Sequence, residues 1–146
     1  MKKILTFTFI AMVLFLSSCK SEQYDFPNKG QPIEKIEFLS NPYANKNTLD
    51  APMYNICSLE EECVDAFMQG LYSIETTRCI TPPPTDYGLY IARVVYENGD
   101  VEMFGSRHIE FIEKGDTPKK IGEYCFDREK FEELFFQYAG TPDTWK

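Results

Sequence analysis

Two alternating apolar stretches flank Asn98-Gly99, and no other arrangement in the chain constrains the fold as tightly. Asn-Gly between such runs is the strongest short hairpin signal, because both residues accept the positive φ of a type I′ turn. The spacing predicts two antiparallel strands within Asp86–His108. A two-residue loop pairs Glu97 with Asp100, Val95 with Glu102 and Arg93 with Phe104. Tyr90, Ala92, Val94 and Tyr96 then share a core face with Val101, Met103 and Gly105. The other face carries Leu89, Ile91, Arg93, Val95, Phe104, Ser106 and His108, and is too apolar for plain solvent surface. Either a second element covers it or it binds a partner. Leu89, Ile91, Arg93, Val95 and Phe104 are therefore the candidate binding residues.

The rest of the chain supplies elements to pack on that hairpin. Ile33–Leu39 alternates, with Ile36 and Phe38 on one face, and reads as a first strand. Met53–Cys57 reads as a short extended piece. Ser58-Leu59-Glu60-Glu61 has the form of a capping box opening a helix, with Glu60, Glu61 and Glu62 in a first turn that favours negative charge. Leu59, Cys63, Ala66, Phe67, Gly70, Leu71 and Ile74 fall at helical spacing and form its buried stripe. Thr81-Pro82-Pro83-Pro84-Thr85 is a rigid connector without backbone donors. Ile109–Ile112 continues extended, and Gly122–Phe126 is a last strand. Asp127 caps a second helix, whose Phe131, Leu134, Phe135 and Tyr138 recur at i, i+3, i+4 and i+7, with Gly140 and Pro142 ending it. The expected fold is α+β: an antiparallel sheet of about four strands with two helices packed on it.

The first residues set an address. Met1-Lys2-Lys3 is a positive start, Ile4–Leu16 is an apolar run broken by Thr6 and Thr8, and Leu16-Ser17-Ser18-Cys19 follows. This is the order of a secretory signal, with an apolar region too short for the roughly 20 residues that span a bilayer. The stretch resembles the lipobox of bacterial lipoproteins, over residues 1–19 only. The resemblance implies a diacylglycerol on the Cys19 thiol and cleavage before it. Two or three acyl chains, at about 0.8 kcal/mol per buried methylene, hold a protein stably on a membrane. The expected organisation is a removed signal peptide over 1–18, a lipidated tether over 19–32, one globular domain over 33–140 and a tail over 141–146. The tether, without periodicity and with two prolines, reaches about 20 Å on average. The expected location is the bacterial cell envelope. Lys20-Ser21-Glu22 lacks an aspartate after the cysteine, which points to the outer membrane.

Of five cysteines, Cys19 goes to lipid, which leaves Cys57, Cys63, Cys79 and Cys125. An even count in an oxidising compartment reads as two disulfides of unassigned connectivity. No close cysteine pair suggests zinc. Loss of Lys2 and Lys3 with the leader moves the net charge from −8 to −10, which argues against nucleic acid. The single histidine, His108, has no nucleophile motif beside it. No phosphate-binding, dinucleotide or metalloprotease motif occurs, so no cofactor and no metal is expected. The reading is a lipid-anchored envelope protein that binds a protein or glycan partner rather than an enzyme. Its alternatives are an envelope enzyme acting on glycan through a carboxylate pair, and a purely structural lipoprotein.

Overall fold

The computed structural model describes residues 23–42, 52–78, 88–115 and 124–145. In chain order the elements are β1 (Ile33–Ser40), β2 (Tyr54–Ser58), α1 (Val64–Ser73), β3 (Thr76–Arg78), β4 (Tyr90–Tyr96), β5 (Val101–Gly105), β6 (His108–Ile112), β7 (Tyr124–Phe126) and α2 (Arg128–Ala139). Short 3-10 turns stand at Glu61–Cys63 and Pro142–Thr144. Five strands form one antiparallel sheet in the order β2-β1-β4-β5-β6, and β3 pairs with β7 in a separate ribbon. The fold is α+β with two helices, as the periodicity implies. Two features differ from expectation: Ile109–Ile112 belongs to a strand that turns back on β5, and the last strand joins the ribbon instead of the main sheet.

Both helices cover one face. Ile36, Phe38, Ala92, Val94 and Phe104 meet Phe67 and Leu71 of α1 and Phe131 and Phe135 of α2 in one buried cluster. Phe38 stands edge-on to Phe67 and Phe135, with ring centroids 5.2 and 4.9 Å away. Such aromatic pairs add about 0.5–1.5 kcal/mol beyond their burial. The helices touch where Gly70 leaves room for Leu134; a Cβ at residue 70 would lie 2.7 Å from Leu134 Cδ1.

The β4–β5 hairpin is shifted by one residue from its expected register. Gly99 N–H donates to Tyr96 O at 2.8 Å and Tyr96 N–H to Asp100 O at 3.0 Å, so the loop has three residues, Glu97–Gly99. Gly99 takes φ 93°, the left-handed position of a bulged three-residue loop. Val95 now pairs with Val101, Val94 with Glu102 and Ala92 with Phe104. A one-residue slip exchanges the two faces of a strand. Phe104 and Glu102 therefore face the helices, while Val101 and Met103 face away. The gain is burial: the Phe104 ring fills space between Phe26 and Phe126, at 5.9 and 6.0 Å, and burying such a ring stabilises by about 1.5–3 kcal/mol.

Three further expectations are corrected. Ser58 caps no helix. It ends β2 opposite Glu37, and Leu59 N–H donates to Ile36 O at 2.9 Å, so the sheet holds the residues that the capping box required. Helix α1 begins at Val64, without a side-chain cap, and Met68 rather than Ala66 joins its buried stripe. The described part of the expected tether is folded: Tyr24 and Phe26 pack on the main core, and Phe26 meets Tyr24 and Tyr72 edge-on at 4.9 and 4.8 Å. The tail also folds back. Trp145 Nε1 donates to Ala139 O at 2.8 Å, and its ring lies 5.9 Å from Tyr90. Asp127 caps α2 as expected, accepting from Lys130 N–H at 3.2 Å. The triple-proline segment lies outside the described residues.

Candidate functional site

A cleft of about 890 Å³ opens between Lys29–Lys35 and the outer flank of α1. The first wall exists because Pro32 O accepts from Glu97 N–H at 3.0 Å, which ties the entry to β1 onto the hairpin loop. The second wall is the side of α1 that carries Val64, Asp65, Met68, Gln69 and Tyr72. Leu59, Glu61 and Glu97 complete the lining. Ile33, Leu59 and Val64 supply apolar surface, with buried Met68 beneath them. Glu34, Glu61, Asp65 and Glu97 supply four carboxylates against the ammonium groups of Lys29 and Lys35. Both lysines are engaged: Lys29 Nζ lies 4.8 Å from the centre of the Tyr72 ring, and Lys35 Nζ lies 3.0 Å from Glu37 Oε1. The cleft thus offers a cation negative charge beside an apolar strip, which is how pockets combine bulk affinity with a few orienting polar groups.

Behind Tyr72 lies a carboxyl in the core. Glu102 has no exposed surface. Tyr24 Oη donates to its Oε1 at 2.8 Å, and Tyr96 Oη donates to its Oε2. Burial raises the Glu102 carboxyl above the usual carboxylate range against the opposing pull of these two hydroxyls. Burial, and then the nearby Glu102, hold the Tyr24 and Tyr96 phenols well above their ordinary range. A raised carboxyl is what a general acid needs. This one has both oxygens taken and no path to a substrate, so its geometry is that of a structural clasp. Tyr24 completes the clasp from the N-terminal side, where its N–H also donates to Thr76 Oγ1 at 2.8 Å.

Of the candidate binding residues read from the hairpin, Ile91, Arg93 and Val95 keep one face of β4 and Phe104 leaves it. Phe104 lies in the core on the helix side of the sheet. Ile91 and Val95 are buried on the opposite face, where Ile91 packs with Leu39, Met103 and Met53. Leu89 is exposed just before β4. Arg93 pairs across the strands with Glu37, its Nη1 2.6 Å from Glu37 Oε2. Burial pushes the Glu37 carboxyl up, but hydrogen bonds from Lys35 and Arg93 bring it below the usual range. The register shift is the physical reason for the separation. Expectation assigned the five residues to one face, and the three-residue loop moves Phe104 to the other.

The cysteines are also placed differently from expectation. Cys57, Cys63 and Cys125 are free thiols, and Cys79 lies outside the described residues. Two bridges among four cysteines require a bond between two of those three, and none is present. Cys125 Sγ instead lies 3.6 Å from Thr77 Oγ1 across the ribbon. Cys63 is half-buried beside Glu60 and Glu62, and the ligand atoms of these three lie within 4.8 Å of one another. Glu60, extended, precedes the 3-10 turn, and Cys63, the last residue of that turn, follows Glu60 at the three-residue spacing that eclipses in such a turn. His108, at the start of β6, is fully buried, and desolvation pushes its imidazole down to about 4. That holds it neutral and inside the fold, away from the cleft lining.

The cleft was not legible in the sequence because its first wall runs through a segment read as tether, and its second is a side of α1 outside the expected buried stripe. The available signal was Tyr24 and Phe26, two aromatic residues in a stretch that a solvated linker does not need. Among the described residues no helix is long and apolar enough to cross a membrane. No protein-family model, curated protein or solved structure matches the chain.

Proposed function

We propose that the chain is a lipid-anchored protein of the bacterial envelope, attached through Cys19, that works by binding a partner in the Lys29–Tyr72 cleft. The observation that carries the binding site is the cleft itself: about 890 Å³ with an apolar strip and four carboxylates. The ligand class that fits is a basic, partly apolar peptide segment of another envelope protein. Its cationic groups meet Glu34, Glu61, Asp65 and Glu97, and its aliphatic groups lie on Leu59 and Val64, above Met68. The acid excess of the whole chain draws such a segment in and repels nucleic acid and anionic lipid. The anchor rests on the lipobox-like run Leu16–Cys19, and the outer membrane on Lys20 following the cysteine.

Methionine methyl NMR on the soluble domain from Gln23 onward tests the binding site. Met68 lines the cleft, whereas Met103 lies on the far face of the sheet. A lysine- and leucine-containing peptide shifts the Met68 methyl signal and leaves Met103 in place. Glu61→Gln with Asp65→Asn weakens binding roughly 2- to 30-fold, and salt weakens it further, as exposed charge pairs worth about 0.2–1 kcal/mol each require. A Met68 signal unmoved by millimolar basic peptide, or moved equally by an acidic one, refutes the assignment. Palmitate incorporation that survives Cys19→Ala refutes the anchor.

A further inference from the structure

The folded strap changes what a lipid on Cys19 does to the domain. Tyr24 is fixed at both ends, with its N–H on Thr76 and its hydroxyl on Glu102. Its ring lies 4.9 Å from Phe26 and 5.6 Å from Tyr124. No more than Lys20–Gln23 therefore separates a lipid on Cys19 from the fixed Tyr24, against the dozen residues of the expected tether. At 3.3–3.6 Å per residue, the five steps from Cys19 to Tyr24 span at most about 18 Å. A domain of this size has a radius of gyration of about 14 Å and a diameter of about 35 Å. The leash is about half a diameter long, so the domain cannot turn over.

We infer that the surface around Tyr24, carrying Asp25, Thr77 and Tyr124, is kept on the half of the domain that faces the bilayer anchoring Cys19. This orientation rests on the lipid-anchor reading. The leash imposes it without attraction, because exposed Asp25 and Glu75 give the face no affinity for anionic lipid. The opposite pole follows from α2. It ends where Trp145, next to the turn that holds Asp143, meets Tyr90, and Tyr90 is the end of β4 away from Tyr96, which shares the Glu102 clasp with Tyr24. The cleft begins five residues past Tyr24, so a ligand is met close to the membrane.

Photocrosslinking of the full lipoprotein in proteoliposomes of zwitterionic phospholipid tests this. p-Benzoylphenylalanine replaces Asp25 in one sample and Asp143 in another, both exposed positions. Phospholipid adducts form at least several-fold more at residue 25 than at 143. Twelve Gly-Ser residues inserted between Glu22 and Gln23 bring the two yields together. Equal yields without the insert, or a higher yield at 143, overturn the orientation while palmitate on Cys19 in the same sample preserves the anchor. No palmitate on Cys19 removes both.

Discussion

Tyr24 carries more of this fold than its place in the chain suggests. Its hydroxyl supplies one of two donors to a carboxyl that is wholly out of water. Tyr24→Phe keeps the ring contacts and removes that donor. An unsatisfied buried acceptor costs about 1–3 kcal/mol. Urea denaturation of the variant is expected to show that loss, and amide exchange at residue 24 is expected to quicken as the strap loosens. His108 makes the second residue-scale prediction. The unfolded imidazole takes up a proton near 6.5, whereas the folded one does so only near 4. Below 6.5 the unfolded state binds more protons, so stability falls as pH falls, by up to about 3 kcal/mol by pH 4. Glu102 acts with the opposite sign, because a carboxyl raised by folding loses stability as pH rises past its ordinary value. Urea midpoints across pH 4–7.5 for the parent and for His108→Gln, which retains Glu102, separate the two: the difference between them shrinks toward acid.

At the scale of elements, the hairpin loop decides which residues form the core. Gly99 stands at φ 93°, and a Cβ there would meet Lys114 Cδ at 2.8 Å. Gly99→Ala is expected to destabilise by about 1 kcal/mol or more, chiefly through backbone strain, since the lysine can swing away. Thermal unfolding reads that loss, and Gly115→Ala, at φ 84° with nothing within 4 Å of its Cβ, isolates the backbone strain from the lysine contact. The ribbon and edge strand carry the thiol prediction. Iodoacetamide on unfolded, unreduced protein is expected to modify Cys57, Cys63 and Cys125 alike, with peptide mass mapping as the readout. Protection of any two of them would restore a bridge that the structure lacks. At this scale much was legible in advance. The α2 stripe, its Asp127 cap and its Gly140 terminus are local patterns, and they stand as read. The capping box at Ser58 is equally local, yet it yielded to pairing with β1, because a capping contribution of about 1 kcal/mol is smaller than a strand end and its ladder.

For the whole molecule, the strap and the cleft are one consequence of the same packing. Phe26 and Tyr24 close the open end of the helix–sheet sandwich, Lys29–Lys35 then has a fixed course, and the cleft is the space left beside α1. Loosening the strap is therefore expected to weaken peptide binding as well as stability. In the Met68 methyl titration, Tyr24→Phe should bind the basic peptide several-fold less tightly while leaving Glu61 and Asp65 in place. Unchanged affinity would separate the strap from the cleft.

The amino-acid sequence by itself determined the local and periodic features: the class α+β, the β1 and β4 faces, and helix α2 with both its ends. Each depends on residues within a few positions of one another. Tertiary structure alone decided the β4–β5 register, the burial of Glu102 and the course of residues 23–31. A one-residue difference in loop length is nearly neutral locally, but it exchanges every side chain of β5 between two faces. The choice therefore falls to contacts dozens of residues away, with Phe26, Phe126 and Tyr24 receiving Phe104 and Glu102. No window of sequence around Asn98-Gly99 contains those partners.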